Sequence, residues 1–184
     1  INTMAAVTAV YLAGGKENLI RAGLKTFKNA PHRLESVAHI KGVEFVNDSK
    51  ATNVDSVVYA LGSYTQPLIW IAGGIDKGND YSIIKTDVSQ KVKTLICLGK
   101  DNEKLKQFFG GVVPVIKETQ TVKELVRIAL DSARQGDVVL LSPACASFDL
   151  FKNYEDRGNQ FREAVLELKR EVENSEYRIP NTES

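Results

Sequence analysis

The sequence is poor in the residues that build metal centres and disulfide frameworks. It has two cysteines, Cys97 and Cys145, and two histidines, His32 and His39, and the cysteines lie far apart without metal-ligand spacing. A zinc site and a disulfide-stabilised secreted fold are therefore not expected. Cys97 lies in an apolar run and is expected to be a small core residue. No histidine stands near Cys145 in sequence to activate it, which disfavours a catalytic thiol.

Long apolar runs and an excess of one charge are also missing. The longest apolar runs, "PLIWIA" and "VVLL", are too short to span a bilayer, and the first residues show no signal-peptide pattern. The net charge is +1, and Lys and Arg form no cluster along one face, which disfavours a protein that follows nucleic-acid phosphates. The sequence therefore predicts a cytoplasmic protein that binds neither nucleic acid nor a membrane.

Two common phosphate-binding motifs are absent. The chain has no G-x-x-x-x-G-K-[ST] loop, since "AGGKEN" at 13–18 has Gly-Lys without a following Ser or Thr, and no G-x-G-x-x-G follows an apolar run. If the protein uses a nucleotide, its main phosphate cradle must therefore lie elsewhere. The chain begins with "INTMAAV", already inside a helical pattern and without an initiator methionine, so we expect a fragment of a longer protein.

Two helical patterns occupy the first 27 residues, and a regular alternation of strands and helices follows them. Pro31 ends the second helical pattern, which predicts a domain boundary near residue 30, with one domain over 1–30 and another over 31–184. The predicted strands are 42–47, 67–74, 94–99, 112–116 and 137–142. "EYRI" (176–179) is predicted to add a short closing strand.

At least three of these strands are apolar throughout rather than alternating, which is typical of strands covered on both faces. A helix follows each strand, and Asp101 is expected to cap the helix after the third. Thr121 and Glu124 have the spacing of a capping box. The final helix carries Phe161, Val165, Leu168 and Val172 on one face. The predicted fold class is α/β: a Rossmann-like, open, mostly parallel sheet with helices on both faces, preceded by two helices.

Polar residues follow four of the predicted strands, as "NDSKATN" (47–53), "GGIDKGND" (73–80), "GKDN" (99–102) and "SPACASFD" (142–149). Ligands of such sheets bind beyond the carboxyl ends of the strands, where helix N-termini also offer free N–H groups. Taken singly, each lysine fits a solvated surface charge, and Gly73 and Gly74 fit a turn. Together they predict a site for one or more anions. The cations and hydroxyls of this site are Lys50, Lys77, Lys100, Thr52, Ser142 and Ser147.

Four segments in this order make the sequence resemble a known family. They are "HRLE" (32–35), "NDSKATN" (47–53), "GGIDKG" (73–78) and "LSPACASFDLFKNYEDRGNQF" (141–161). They closely resemble the C-terminal domain of the Mur ligases, and the last segment resembles the member that adds D-glutamate. The resemblance covers nearly the whole chain, and residues 1–30 are similar to the end of the central ATPase domain of that family.

The resemblance implies an ATP-dependent amide-bond-forming ligase of peptidoglycan precursor synthesis. ATP would phosphorylate the carboxylate of UDP-N-acetylmuramoyl-L-alanine, and the amine of D-glutamate would attack the acyl phosphate. The P-loop and the Mg²⁺ ligands of the family belong to its central domain. This chain would therefore supply no catalytic or metal-binding residue, but a D-glutamate site and a lid over ATP. It would act within a monomer and be inactive when alone.

The resemblance also implies roles for individual residues. For D-glutamate these are Lys50, Thr52, Lys77, Ser147, Phe148 and Tyr154, and for the nucleotide they are Asn2, Arg33 and Asp48. Lys77 would pair with the side-chain carboxylate of D-glutamate, while Arg33 would reach the ATP phosphates and Asp48 the ribose. Tyr154 departs from the family pattern, in which this position is often Phe. No role is carried over to Ile75, and the role of Asp76 stays open.

A second interpretation comes from a different class of protein. The same strand-end lysines are compatible with a non-catalytic, anion- or nucleotide-binding α/β module that serves regulation or partner contact. A G-x-x-G-K-[ST] loop upstream of Ile1 would distinguish the ligase from this module.

Overall fold

The structure, a computed structural model, describes residues 2–26 and 30–176. The chain divides into two units, Ile1–Ala30 and Pro31–Ser184. The first contains the two predicted helices, α1 (Asn2–Leu12) and α2 (Glu17–Thr26). The turn between them includes Gly14, whose φ of +85° is accessible to glycine at little cost. The assignment of the two units to separate domains of a ligase stays a prediction.

The second unit is built on one six-stranded sheet, whose order is β1-β2-β6-β3-β4-β5. The strands are β1 (Glu35–Ile40), β2 (Val43–Asn47), β3 (Leu68–Gly73), β4 (Val92–Leu98), β5 (Val115–Thr119) and β6 (Val138–Ala144). Only the β1–β2 pair is antiparallel, and the other four pairs are parallel. This is the predicted fold class, a mostly parallel open sheet.

Helices cover both faces of the sheet. They are α3 (Val54–Gly62), a 3₁₀ helix (Tyr81–Ile84), α4 (Lys85–Lys91), α5 (Glu103–Phe109), α6 (Val122–Ser132) and α7 (Tyr154–Glu176). Successive residues of a strand point to opposite faces. Leu68 and Trp70 of β3 therefore pack with α3, α4 and α5, whereas Ile69 and Ile71 pack with α6 and α7. The predicted apolar face of α7 lies in this second cluster, where Phe161 and Val165 are fully buried.

Strand β1 was not predicted. It forms a hairpin with β2 through the two-residue turn Lys41–Gly42, in which both residues have positive φ, +50° and +75°. Positive φ at both positions matches the twist of paired antiparallel strands. The hairpin places β1 at the edge of the sheet, where His39 is exposed, as expected for a strand-edge residue.

Two local predictions were wrong. Strand β5 begins at Val115, three residues later than predicted, because Pro114 has no N–H for the ladder and the N–H groups of Val112 and Val113 bond Phe109 O at the end of α5. Thr121 does precede α6, but its side chain makes no capping bond. The Glu124 carboxylate accepts the Thr119 hydroxyl instead. Of the closing strand predicted at 176–179, Glu176 is instead the last residue of α7, and residues 177–179 lie outside the described part of the chain.

The start of α7 is set by side chains around its first turn. The Asn153 Oδ1 atom accepts the Asp156 N–H at 2.7 Å, and the Asp156 Oδ2 atom accepts the Lys152 N–H at 3.0 Å. This reciprocal pair satisfies N–H groups that a helix end leaves without partners. Within the described part of the chain, no helix is long and apolar enough to cross a bilayer.

Candidate functional site

Three of the predicted ligand-binding segments meet at one edge of the sheet. Since β2, β6 and β3 are adjacent and parallel, the loops that follow them leave the sheet side by side. We call these the β2 loop (48–53), the β6 loop (145–153) and the β3 loop (74–80), and together the strand-end site. The "GKDN" segment follows β4, one strand further along.

Backbone hydrogen bonds tie these loops to one another. The Ala144 N–H at the end of β6 donates to Ala51 O in the β2 loop at 3.0 Å. Ile75 and Ala146 exchange two bonds, of 2.8 and 3.2 Å, which form an antiparallel bridge between the β3 and β6 loops. The residue positions of the three loops are therefore fixed relative to one another without any ligand.

Gly73 and Gly74 are required by this close approach. Their φ angles are +134° and +119°, a region that side-chain-bearing residues rarely adopt. A Cβ at Gly73 would collide with the carbonyl of Leu98, and a Cβ at Gly74 would collide with the carbonyl of Ala146. The glycine pair is thus more than a turn, because it lets the β3 loop lie against both neighbouring backbones.

Lys50, Thr52 and Tyr154 lie together at the β2 loop. Lys50 is exposed, and its Nζ atom is 5.3 Å from the centroid of the half-buried Tyr154 ring, within cation–π range. The Thr52 N–H donates to Lys50 O at 2.9 Å in a tight turn, and Thr52 itself is half-buried. The Tyr154 ring therefore holds the Lys50 ammonium at the β2 loop, next to the turn that carries Thr52.

Lys77, Ser147 and Phe148 lie on the β3 and β6 loops that the Ile75–Ala146 bridge joins. Lys77 is exposed, and no carboxylate of the described residues is within ion-pair distance of it. Ser147 is 2% exposed, and its carbonyl accepts the Phe151 N–H at 2.9 Å. Phe148 is 65% exposed, which is unusual for a phenylalanine and leaves its ring available to a ligand or another protein surface.

Asp76 has a structural role in the β3 loop. Its Oδ1 atom accepts the N–H groups of Gly78 and Asn79 and the ammonium of Lys104, and its Oδ2 atom accepts the Tyr81 hydroxyl at 2.7 Å. Burial acts to raise the pKa of Asp76, but the bonds from Lys104, Tyr81 and the backbone outweigh it and lower the pKa to about 2. Asp76 thereby fastens the turn that carries Lys77 to α5.

Arg33 and Asp48 lie side by side before β1 and after β2. Arg33 is exposed between His32 and Leu34, both of which have positive φ, +62° and +43°. The Asp48 carboxylate is 5% exposed and accepts the Leu34 N–H at 3.2 Å and the hydroxyl of Ser142 at 2.9 Å. Burial raises the pKa of Asp48 to about 6. Both Asp48 oxygens are thus engaged inside the protein, and contact with a ribose would require one of them to exchange partners.

The turn that presents Arg33 is held by His32. The His32 Nδ1 atom accepts the Asn47 side-chain amide at 3.0 Å, and His32 O accepts the Lys50 N–H at 3.1 Å. Burial lowers the pKa of His32, so the ring is neutral, with its proton on Nε2. His32 therefore joins the turn that carries Arg33 to the β2 loop. Asn2 belongs to α1 of the other unit, and its side chain lies outside the described part of the structure.

Arg157 is a buried residue of this region that the sequence did not single out. It lies in the first turn of α7 and is 1% exposed. Its Nε atom donates to Ser49 Oγ at 3.0 Å and Nη2 to Ser49 O at 2.9 Å, Nη1 donates to Gly73 O at 3.4 Å, and both Nη atoms donate to Cys145 O at 3.3 Å. Charged residues are rarely fully buried, so a sequence pattern alone does not indicate this position.

Lys100 and Cys97 lie outside the three tied loops, whereas Cys145 is the first residue of the β6 loop. Lys100 is exposed after β4, and its N–H donates to Asp149 Oδ2 at 3.0 Å. Cys97 is buried in the core, and burial raises its pKa to about 12. Burial also raises the pKa of the Cys145 thiol, which lies 3.4 Å from the Tyr81 hydroxyl. Both thiols are therefore protonated at neutral pH and unsuited to nucleophilic attack.

Two concave surfaces of the second unit lie between α6 and α7 near Phe151 and beyond β4 and β5 near Lys106. Neither contains Lys50, Lys77 or Ser147. Among the described residues, no group of three or more His, Cys, Asp or Glu side chains could hold a metal ion.

The sequence matches a known family model and several named proteins. Residues 32–145 match the family model described as "Mur ligase, glutamate ligase domain". The UDP-N-acetylmuramoylalanine–D-glutamate ligase of Cytophaga hutchinsonii is 60% identical over 168 residues, which are 91% of this chain and 37% of that protein. The ligase of the same name from Porphyromonas gingivalis is 54% identical over 167 residues, again 91% and 37%. The chain thus spans little more than a third of these relatives.

Solved structures share the fold at low sequence identity. A MurF from Acinetobacter baumannii gives a TM-score of 0.63 at 18% identity, over 92% of this chain and 37% of that chain. A pseudomurein peptide ligase type C from Methanothermus fervidus gives 0.62 at 20% identity, over 91% and 35%. At such identities the likeness shows the fold alone.

Proposed function

The chain belongs to the Mur ligase glutamate ligase domain family, and from this premise we propose that it is the acceptor-binding part of an ATP-dependent D-glutamate ligase. In the whole enzyme, D-glutamate would be joined to UDP-N-acetylmuramoyl-L-alanine through an acyl phosphate. The two relatives described above carry the name of that ligase, at 60% and 54% identity. The whole reaction needs parts of the enzyme beyond this chain.

The observation that carries the proposal is the convergence of the three tied loops. They bring Lys50, Thr52, Lys77 and Ser147 to one edge of the sheet, and the loops are already bonded to one another. D-glutamate carries two carboxylates, and lysines and hydroxyls are the side chains that bind such groups by charge-assisted hydrogen bonds. A preformed site of this kind lowers the ordering cost of binding a small, flexible dicarboxylate.

The residues of this chain would bind and orient the amino acid rather than take part in bond making. Lys77, which lacks a carboxylate partner among the described residues, would pair with the side-chain carboxylate of D-glutamate. Thr52 and Ser147 would bind the remaining polar groups of D-glutamate. The exposed Phe148 and the half-buried Tyr154 would border the site. Holding an amine at attack distance from an acyl phosphate can supply ~7–11 kcal/mol of barrier reduction.

The nucleotide would contact this chain at a second place. Arg33 is exposed on the turn before β1 and offers a guanidinium to phosphate oxygens. His32 links that turn to Lys50 of the β2 loop through one backbone bond of 3.1 Å. A MurF structure with a TM-score of 0.58 was solved with ADP.

ATP would supply the phosphoryl group, and the Mg²⁺ ligands would come from the central domain. The enzyme would act as a monomer in the cytoplasm.

The proposal is tested with the full-length protein that contains this sequence. We expect ATP-dependent phosphate release that requires both UDP-N-acetylmuramoyl-L-alanine and D-glutamate, with the amide product identified by mass spectrometry. L-glutamate serves as the matched control and should give little or no product. Binding of ATP without any acceptor-dependent turnover would contradict the proposal and favour a non-catalytic nucleotide-binding module.

A further inference from the structure

The Arg157 side chain bonds to two loops of the strand-end site and to the strand end from which the third loop starts. Its five hydrogen bonds go to Ser49 in the β2 loop, to Gly73, the last residue of β3, and to Cys145 in the β6 loop. Four of the five acceptor contacts are to backbone carbonyls, so the contacts constrain the backbone of each loop. The rigid planar fork of a guanidinium can satisfy several acceptors at fixed angles, which a lysine ammonium cannot reproduce.

Each contacted residue is close in sequence to a proposed D-glutamate ligand. Ser49 is followed directly by Lys50, Cys145 precedes Ser147 by two positions, and Gly73 precedes Lys77 by four. A change in any of these contacts would therefore move a proposed ligand. Arg157 itself has no exposed surface to offer to a substrate, which excludes direct contact in this arrangement.

The charge of Arg157 has no carboxylate hydrogen-bonded to it among the described residues. Burial lowers its pKa to about 10, which leaves the guanidinium charged at neutral pH, and Asp149 acts on it only at longer range. An isolated buried charge is costly unless hydrogen bonds compensate it. The five bonds supply that compensation. A fixed positive charge therefore lies close to the strand-end site, which is proposed to bind the two carboxylates of D-glutamate.

We propose that Arg157 is a positioning residue of the ligase. From its buried position it fixes the relative positions of Lys50, Lys77 and Ser147, and its charge adds positive potential to their site. This inference rests on the proposed function, since it concerns the same D-glutamate site. It assigns no chemical step to Arg157. The residue acts through the backbone of the three loops.

The test compares Arg157→Lys with the wild type in the full-length ligase. The variant retains the charge and loses the fork, so we expect the KM for D-glutamate to rise by at least about 10-fold, since misplacement of binding groups by about 1 Å can have effects of that size. The KM for ATP should rise less than the KM for D-glutamate, because Arg157 makes no bond to the 32–34 turn, which it reaches only indirectly, through the bond between Lys50 N–H and His32 O. An unchanged KM for D-glutamate in a folded variant would overturn the inference.

The matched control is Lys93→Met, which removes a half-buried ion pair at the opposite end of the sheet. Lys93 pairs there with Asp137, whose side chain is 6% exposed. This variant should lose stability and retain the wild-type KM for D-glutamate. If Lys93→Met raised that KM as much as Arg157→Lys does, the effect would be one of general destabilisation and the inference would be wrong.

A second variant tests the positioning role of Arg157 if Arg157→Lys does not fold. Ser49→Ala removes the hydroxyl that accepts Nε of Arg157 and donates to Tyr154 O, and it leaves the Ser49 carbonyl bond in place. We expect a smaller rise of the KM for D-glutamate, about two- to fivefold, and no rise would overturn the inference. The wild-type assay separates the two proposals, because absence of D-glutamate-dependent turnover there refutes the proposed function itself, whatever the variants do.

Discussion

Lys77 is the residue at which a ligand-binding role can be separated most cleanly from a structural one. Its ammonium is exposed and has no carboxylate partner among the described residues, whereas neighbouring Asp76 uses both oxygens to hold the loop. Removal of the Lys77 side chain should therefore leave the loop intact. The conformation of the loop depends on Asp76, Tyr81 and Lys104.

We predict that Lys77→Ala raises the KM for D-glutamate in the full-length ligase by roughly 10- to 100-fold. A hydrogen bond to a charged group contributes about 1.5–3 kcal/mol, and each 1.4 kcal/mol corresponds to about tenfold in binding. Steady-state kinetics with varied D-glutamate measures the effect. Lys123→Ala, an exposed lysine on α6, is the control and should change nothing. A wild-type KM in Lys77→Ala would remove this residue from the site.

Asp48 should leave a signature in the pH dependence of stability. Burial raises its pKa to about 6, above the ordinary value of about 3.9 for aspartate, so the folded state binds its proton more tightly than the unfolded state does. The contribution of Asp48 to the free energy of unfolding is therefore favourable below pH 4 and decreases as pH rises through 6. The shift of about two units corresponds to about 3 kcal/mol.

We expect Asp48→Asn to remove this term. The amide keeps an acceptor for the Leu34 N–H and can donate to Ser142, so the fold should persist. Between pH 4 and pH 7, the unfolding free energy of the variant should increase by about 2–3 kcal/mol relative to that of the wild type. Urea unfolding at a series of pH values measures it. A difference that is constant across that range would contradict a raised pKa.

At the scale of the elements, the backbone of the β3 loop depends on Gly74. An alanine there would collide with the carbonyl of Ala146 and would need a φ near +119°. We predict that Gly74→Ala lowers the unfolding free energy by roughly 2–4 kcal/mol, from backbone strain and two lost bridge bonds. Chemical denaturation measures it. Gly62→Ala, at the open end of α3, is the control and should be neutral or stabilising. Equal effects of the two would show that the close approach is unimportant.

The predictable elements are those whose pattern is set by burial. Strands β2, β3, β4 and β6 are apolar runs covered on both faces, and their positions follow from the sequence alone. β1 was missed because it alternates at an edge and depends on the turn at Lys41 and Gly42. β5 was misplaced because Val112 and Val113 finish α5, a tertiary use of apolar residues that a hydrophobic pattern does not distinguish from a strand.

The location of the candidate site was predictable from the sequence, but the hydrogen bonds that join its loops were not. Parallel strands place their carboxyl ends at one edge, so Lys50, Lys77 and Ser147 could be grouped before the strand order was available. The order β2-β6-β3 then determines that their loops touch. Arg157 could not be found in this way, because its burial depends on three strand ends that are distant in sequence.

At the scale of the whole molecule, the core belongs to the second unit. Both apolar clusters consist of residues after Pro31, and α2 contains no buried residue. The sequence has no phosphate loop of the G-x-x-x-x-G-K-[ST] type, a common cradle for nucleotide phosphates.

We therefore predict that the 184-residue polypeptide folds by itself but neither hydrolyses ATP nor forms the amide bond. A cooperative unfolding transition by circular dichroism would report the folding, and a phosphate-release assay the activity. The full-length ligase is the positive control. Turnover by the polypeptide alone, above the level of a blank without protein, would show that this chain contains a complete active site.

The bridge between Ile75 and Ala146 also limits how the acceptor preference of such a domain can be changed. Its two hydrogen bonds join segments about 70 positions apart, so a replacement in one segment alters the path of the other. A grafted glycine-pair loop whose backbone follows a different path would lose the bridge and displace both sides of the proposed site. Redesign toward another amino acid therefore has to exchange the two segments together, as a single cassette assembled from distant parts of the chain.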